Sequence, residues 1–177
     1  MTLLATPDDY GALIEPATVK IQRLLPGPVE RVWAYLTESD LRRRWLAAGE
    51  MTLKVGAPFE LVWRNDELTD PPGERPPSFA AEHRARAQIT EVDPPRRLIM
   101  VWEGTGEVSF DLTPKDDKVL LTLVHRRVPD HKTLIGVSGG WHAHLDVLAA
   151  VLAGRKPDPF WPNMMRLRAD YERRLPE

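Results

Sequence analysis

Apolar and polar positions alternate along most of this chain, and the period of the alternation shifts where one element should give way to the next. Thr18-Val19-Lys20-Ile21-Gln22-Arg23-Leu24 alternates with period two, as a strand with one buried face does. Pro26-Gly27-Pro28 ends it. Val29, Val32, Trp33 and Leu36 then recur at helical spacing behind a proline suited to a first helical turn. A second short helix is predicted over 38–46, with Leu41 and Trp45 on one side. Strand period returns at Phe59, Leu61 and Trp63, and again at Ala85, Ala87 and Ile89. Leu98-Ile99-Met100-Val101-Trp102 is apolar throughout, which predicts a strand covered on both faces. Glu103-Gly104-Thr105-Gly106 reads as a tight hairpin. Val108, Phe110 and Leu112 share the next face, followed by Leu121, Leu123 and His125. Consecutive strands joined by short turns predict an antiparallel meander.

The remainder reads as helix. Leu134, Trp141, Leu145, Leu148 and Leu152 form one apolar stripe over several turns. Gly154 and Pro157 end it. A last amphipathic helix is predicted from Trp161 through Met164, Arg168 and Tyr171. The predicted order is a strand, two short helices, six strands and a long helix, with residues 1–17 a loosely ordered lead-in. Residues 64–82 carry Pro71-Pro72-Gly73 and Pro76-Pro77, which predicts a long surface loop of the kind that serves as a lid or binding loop.

This order, and the residues that mark it, resemble the START-like helix-grip (SRPBCC) superfamily, and within it the homologues of the activator of heat-shock protein 90 ATPase. Pro28-x-x-x-Val32-Trp33 followed by Trp45 resembles the family's first helix pair. Glu91-Val92-Asp93-Pro94-Pro95-Arg96-Arg97-Leu98 with Trp102 resembles its most recognisable stretch. Val119-x-Leu121-x-Leu123-x-His125 and Gly140-Trp141-x-x-x-Leu145-x-x-Leu148 complete the match over residues 18–153. The resemblance implies an α+β fold, a curved antiparallel sheet wrapped around a long C-terminal helix. The expected divisions are the lead-in 1–17, a helix-grip domain 18–154 and a helical extension 155–177. The 64–83 loop is longer than the family's, and the last helix follows the point where the family's domain ends.

The resemblance also implies a hydrophobic cavity between sheet and helix, and a small apolar or amphipathic ligand as its occupant. The inward positions nominated for that ligand are Phe59, Leu61, Trp63, Ala87, Trp102, Phe110, Leu123 and His125 from the sheet, with Trp141, His144, Leu145 and Leu148 from the helix. Ala85 and Ala87 are small where neighbouring strands present aromatics, so space is expected there. His125 continues the inward face of Leu121 and Leu123, two residues on. It is expected to orient a polar ligand head near Trp141 and His144. His125→Leu should then leave the fold intact and weaken binding. His142 and His144 project about 200° apart on a helix and cannot share a metal. His142 is expected in solvent, with Asp146 as an ordinary surface partner one turn away. Gly139-Gly140 is expected to let the long helix approach the sheet.

Composition narrows the chemistry. At 177 residues the chain can bury a sizeable core. The absence of cysteine removes disulfides, thiolate nucleophiles and cysteine-ligated metals. His83, His125, His131, His142 and His144 show no ligand-set spacing, so neither metal nor other cofactor is expected. Phosphate loops and nucleophile elbows are missing too. With net charge −2, nucleic acid is not an expected partner, and Arg42-Arg43-Arg44 reads as a solvated helix face. The N-terminus lacks a basic, then apolar, leader and Val147–Ala153 is too short to span a bilayer, so the expectation is cytoplasmic with no membrane partner. Binding is expected over catalysis. A polyketide cyclase- or dehydratase-like reaction in the same cavity is the alternative, and a co-chaperone-like or regulatory interaction is the other. The family's co-chaperones carry a separate N-terminal chaperone-binding domain, expected to be lacking here, so a chaperone partner has weak support. A homodimer is left open.

Overall fold

The computed structural model describes residues 9–177. Seven strands form one antiparallel sheet: β1 (Ala12–Glu15), β2 (Thr18–Pro26), β3 (Pro58–Trp63), β4 (His83–Asp93), β5 (Arg97–Trp102), β6 (Gly106–Lys115) and β7 (Lys118–Arg126), in spatial order β1-β2-β7-β6-β5-β4-β3. Helices α1 (Val29–Thr37) and α2 (Ser39–Arg42) carry the chain from β2 to the opposite edge at β3. The long helix α3 (His131–Leu152) and a last helix α4 (Phe160–Arg174) follow. The helix-grip α+β fold expected from the sequence is the fold observed. Five strands rather than six follow the short helices. The remaining strand, Ala12–Glu15, falls inside the segment expected to be a loose lead-in, where it pairs with β2; residues 1–8 of that lead-in lie outside the described residues.

Strand register explains how one face became the core. Ile21 lies opposite Leu123, Leu123 opposite Phe110 and Phe110 opposite Leu98. The next inward row runs Val19, His125, Val108, Met100 and Ile89. All of these side chains are buried. Against them lie Trp141, Leu145 and Leu148 of α3, also buried. Trp141 meets Phe110 edge-on at 5.7 Å between ring centres, which places the helical stripe on the concave side. On the other face, Ile99, Ser109 and Val124 form a buried cross-strand row, and so the continuously apolar β5 is shielded on both sides.

Local chemistry sets the helix boundaries. Asp130 caps α3 by accepting the Thr133 amide at 2.7 Å. Arg31 of α1 donates to the Leu152 carbonyl at the other end, a cation where the helix dipole is negative. α2 is shorter than the predicted 38–46 helix because the backbone tightens to three-residue hydrogen bonds, Arg44 amide to Leu41 carbonyl and Trp45 amide to the carbonyl of Arg42. Its guanidinium is buried and donates to the carbonyls of Leu36, Ala47 and Gly49, tying α1 to the segment that leads into β3. Of the arginine run read as a solvated face, only Arg43 and Arg44 are exposed. Burial lowers the Arg42 pKa to about 10, against an opposing pull from the Glu50 carboxylate.

α4 lies antiparallel on α3. A Cβ on Gly139 would stand 3.1 Å from the Arg168 backbone, so the close approach that this glycine permits is to α4 and not to the sheet. His142 and Asp146 are accordingly not a solvated surface pair. His142 is buried beneath α4, with Nδ1 2.9 Å from the Tyr171 hydroxyl and Nε2 3.7 Å from Asp146. The same hydroxyl accepts the Gly11 amide at 2.7 Å. Among the described residues, no helix is long and apolar enough to cross a membrane.

Candidate functional site

At one end of the concave face the core opens into a cleft of about 920 Å³. Its sheet-side wall is built from Trp63 at the end of β3, Ala85 on β4 and Trp102 at the end of β5, with Gly140, Trp141 and His144 facing from α3. Phe79 of the long loop and Trp161 of α4 complete the enclosure. The aromatic wall is continuous. Trp63 meets Trp102 edge-to-face at 5.4 Å, and Trp102 stacks on Trp141 at 5.2 Å with planes 19° apart. Trp161 and Phe79 pack at 5.2 Å.

Trp141 is held in place by its indole N–H. Trp141 Nε1 donates to His125 Nδ1 at 3.0 Å, so the ring proton of His125 sits on Nε2, which donates to the Thr105 carbonyl at 2.8 Å. His125 is wholly buried behind the wall, where it locks Trp141 to the β5–β6 turn. Burial lowers its pKa to about 4, and the ring is neutral at physiological pH. His144 is wired differently. Its Nδ1 donates to the Trp45 carbonyl at 2.8 Å, which makes Nε2 the acceptor nitrogen of this lining residue, and burial lowers this pKa to about 4 as well.

Among the described residues, three buried side-chain oxygens have no protein partner: Asn65 Oδ1 and Thr105 Oγ1, on residues that border the cleft, and Ser138 Oγ on α3. The outer rim is ionic: Arg84 bridges Glu60 at 2.7 Å and Glu82 at 2.9 Å. Among the described residues, no three histidine or carboxylate groups converge as a metal-ligand set.

Of the positions nominated from the sequence, Trp63, Trp102, Trp141 and His144 line the cleft. Phe59, Leu61, Ala87, Phe110, Leu123, Leu145 and Leu148 are buried in the core beside it, as is His125. Inward direction alone did not separate filled from unfilled space. Phe79, Asn65, Thr105 and Trp161 were not nominated. Phe79 did carry a signal, being a lone aromatic in a polar, proline-rich loop, where burial requires a distant partner.

A family model described as "Activator of Hsp90 ATPase homolog 1-like protein" matches residues 26–153. A Bordetella parapertussis protein of known solution structure is 42% identical, with a TM-score of 0.78 over 97% of this chain and 93% of that one. CalU16 from Micromonospora echinospora is 27% identical, with a TM-score of 0.62 over 86% of this chain and 82% of that one. DynU16, a protein of the dynemicin biosynthetic locus, is 19% identical and shares the fold, with a TM-score of 0.62 over 80% of this chain and 49% of that one. No curated protein matches the chain.

Proposed function

Because this chain belongs to the family of Activator of Hsp90 ATPase homolog 1-like proteins, we propose that it uses the family fold to bind a small apolar or amphipathic molecule in the cleft beside Trp141. The observation that carries this reading is the coincidence of unfilled volume with the stacked pair Trp102–Trp141. Flat aromatic walls favour a flat apolar body, and the His144 ring, whose Nδ1 donates to the Trp45 carbonyl, favours a hydroxyl or amine hydrogen on the bound molecule. Catalysis in the same cleft is the second reading, favoured by the neutral His144 ring on the lining.

The test is a titration with N-phenyl-1-naphthylamine, read by its fluorescence, on the protein and on Ala85→Phe. Ala85 lines the cleft and is half-buried, so phenylalanine there should occupy the space and abolish saturable binding with little change in melting temperature. Equal binding by both proteins would place the probe elsewhere and remove this reading. Native mass spectrometry of freshly purified protein would identify any molecule that accompanies it.

A further inference from the structure

Two segments outside the sheet-and-helix core meet at the cleft, and they are stitched to each other rather than merely adjacent. One is the loop between β3 and β4; the other is the start of α4, which lies beyond the family-matched residues 26–153. Trp161 Nε1 donates to Asp66 Oδ1 at 2.7 Å, and the Asp66 carboxylate is met from the loop by Arg75 at 3.5 Å. The Trp161 amide donates to the Pro72 carbonyl at 3.0 Å, and the Phe160 amide to Thr69 Oγ1 at 3.0 Å. A Cβ on Gly73 would lie 2.4 Å from Pro162 Cδ, so the loop backbone lies directly against the proline ring at the start of α4. Arg75 also donates to the Phe79 carbonyl at 3.3 Å, and the Phe79 ring packs on Trp161.

We propose that Trp161 is a specificity-determining residue of the cleft and that Asp66 is the positioning residue that holds its indole there. The proposal rests on the cleft being the binding site and says what limits the size of its occupant. Trp161 is almost wholly buried, and a buried indole N–H needs a partner. Here the N–H is fixed by a carboxylate from a segment 95 residues away in sequence, which sets the ring's rotation. A fixed ring cannot swing aside for a larger guest, and the loop that fixes it also supplies Phe79. The cleft is therefore bounded on this side by α4 and the loop together.

The experiment measures dissociation constants for two probes of different size, N-phenyl-1-naphthylamine and pyrene, with the intact chain and with Trp161→Ala, Trp161→Phe and Asp66→Asn. Melting temperature is followed in parallel. We expect Trp161→Ala to improve pyrene binding relative to the smaller probe by at least fivefold. Trp161→Phe and Asp66→Asn should shift the same ratio in the same direction by two- to threefold. In the intact chain, the Trp161 indole N–H resonance, assigned by its loss in Trp161→Phe, should move as probe is added.

A ratio unchanged in folded Trp161→Phe and Asp66→Asn, with an unmoved indole resonance, overturns the proposal while the cleft reading stands. Failure of both probes to bind the intact chain overturns the cleft reading and the proposal with it. If Trp161→Ala does not fold, the two milder variants and the resonance decide.

Discussion

The concave face has a filled half and an open half, although the same sheet and the same helix build both. Across β2, β7, β6 and β5, the row Ile21, Leu123, Phe110 and Leu98 is sealed against α3. Toward the ends of β3, β4 and β5, larger side chains enclose a cleft instead. The difference is not hydrophobicity. In the filled half branched aliphatic chains interdigitate, as close-packed interiors require. In the open half Ala85 and Gly140 supply little volume. The tryptophans around them are held by their edges, Trp141 to His125 and Trp161 to Asp66, and cannot rotate to fill the gap. Space survives where large side chains are pinned and small ones stand beside them.

Trp141 belongs to both halves, and removing it is the severest way to break the comparison. Trp141→Ala should cost about 3–5 kcal/mol of stability in urea denaturation, because the ring is buried against Phe110 and stacked on Trp102. A loss below about 1 kcal/mol would mean that the open half does not depend on its stack.

His125→Leu comes next. The sequence suggested a folded variant with weaker binding, but the structure assigns the ring two buried partners. Leucine would strand the Trp141 N–H and the Thr105 carbonyl, at about 1–3 kcal/mol each. The variant should therefore be destabilised by a few kcal/mol, and its Trp141 indole resonance should shift. An unchanged urea midpoint would contradict the lock.

Acid tests the polar groups behind both sides of α3. His125, His142 and His144 each have a pKa lowered to about 4, chiefly by burial, whereas an unfolded histidine titrates near 6.5. Between these values the unfolded chain binds more protons, so stability is fully present above about 6.5 and falls as pH drops toward 4. The slope should reach about 1.4 kcal/mol per pH unit for each histidine that acts independently. Replacing His142 with asparagine should remove its share without touching the cleft. A urea midpoint flat from pH 7 to 4 would refute the burial argument.

The smallest effect should come from filling the open half. Ala85→Phe should change stability by less than about 1 kcal/mol, because the ring would enter existing space rather than force the core apart. A loss of 3 kcal/mol or more would show that the cleft is not free volume in solution.

Period-two and helical spacing made most of this molecule legible. The β4–β7 meander, the inward row through Phe110 and Leu123, and the α3 stripe through Trp141, Leu145 and Leu148 all follow from which residues alternate with which. Gly154 closing the long helix and the amphipathic α4 were equally readable. These are local properties, because a neighbour's direction is set by the residue's own place in its strand or turn. Tertiary structure alone decided that Arg42 is buried while Arg43 is not, that His142 lies under α4, and that His125 has both ring nitrogens occupied while His144 keeps one open. Each depends on which carbonyl, hydroxyl or ring is carried to it from a distant part of the chain. Spacing reports the direction a side chain takes. What it meets there, and whether the space is filled, is settled only when the remote elements close.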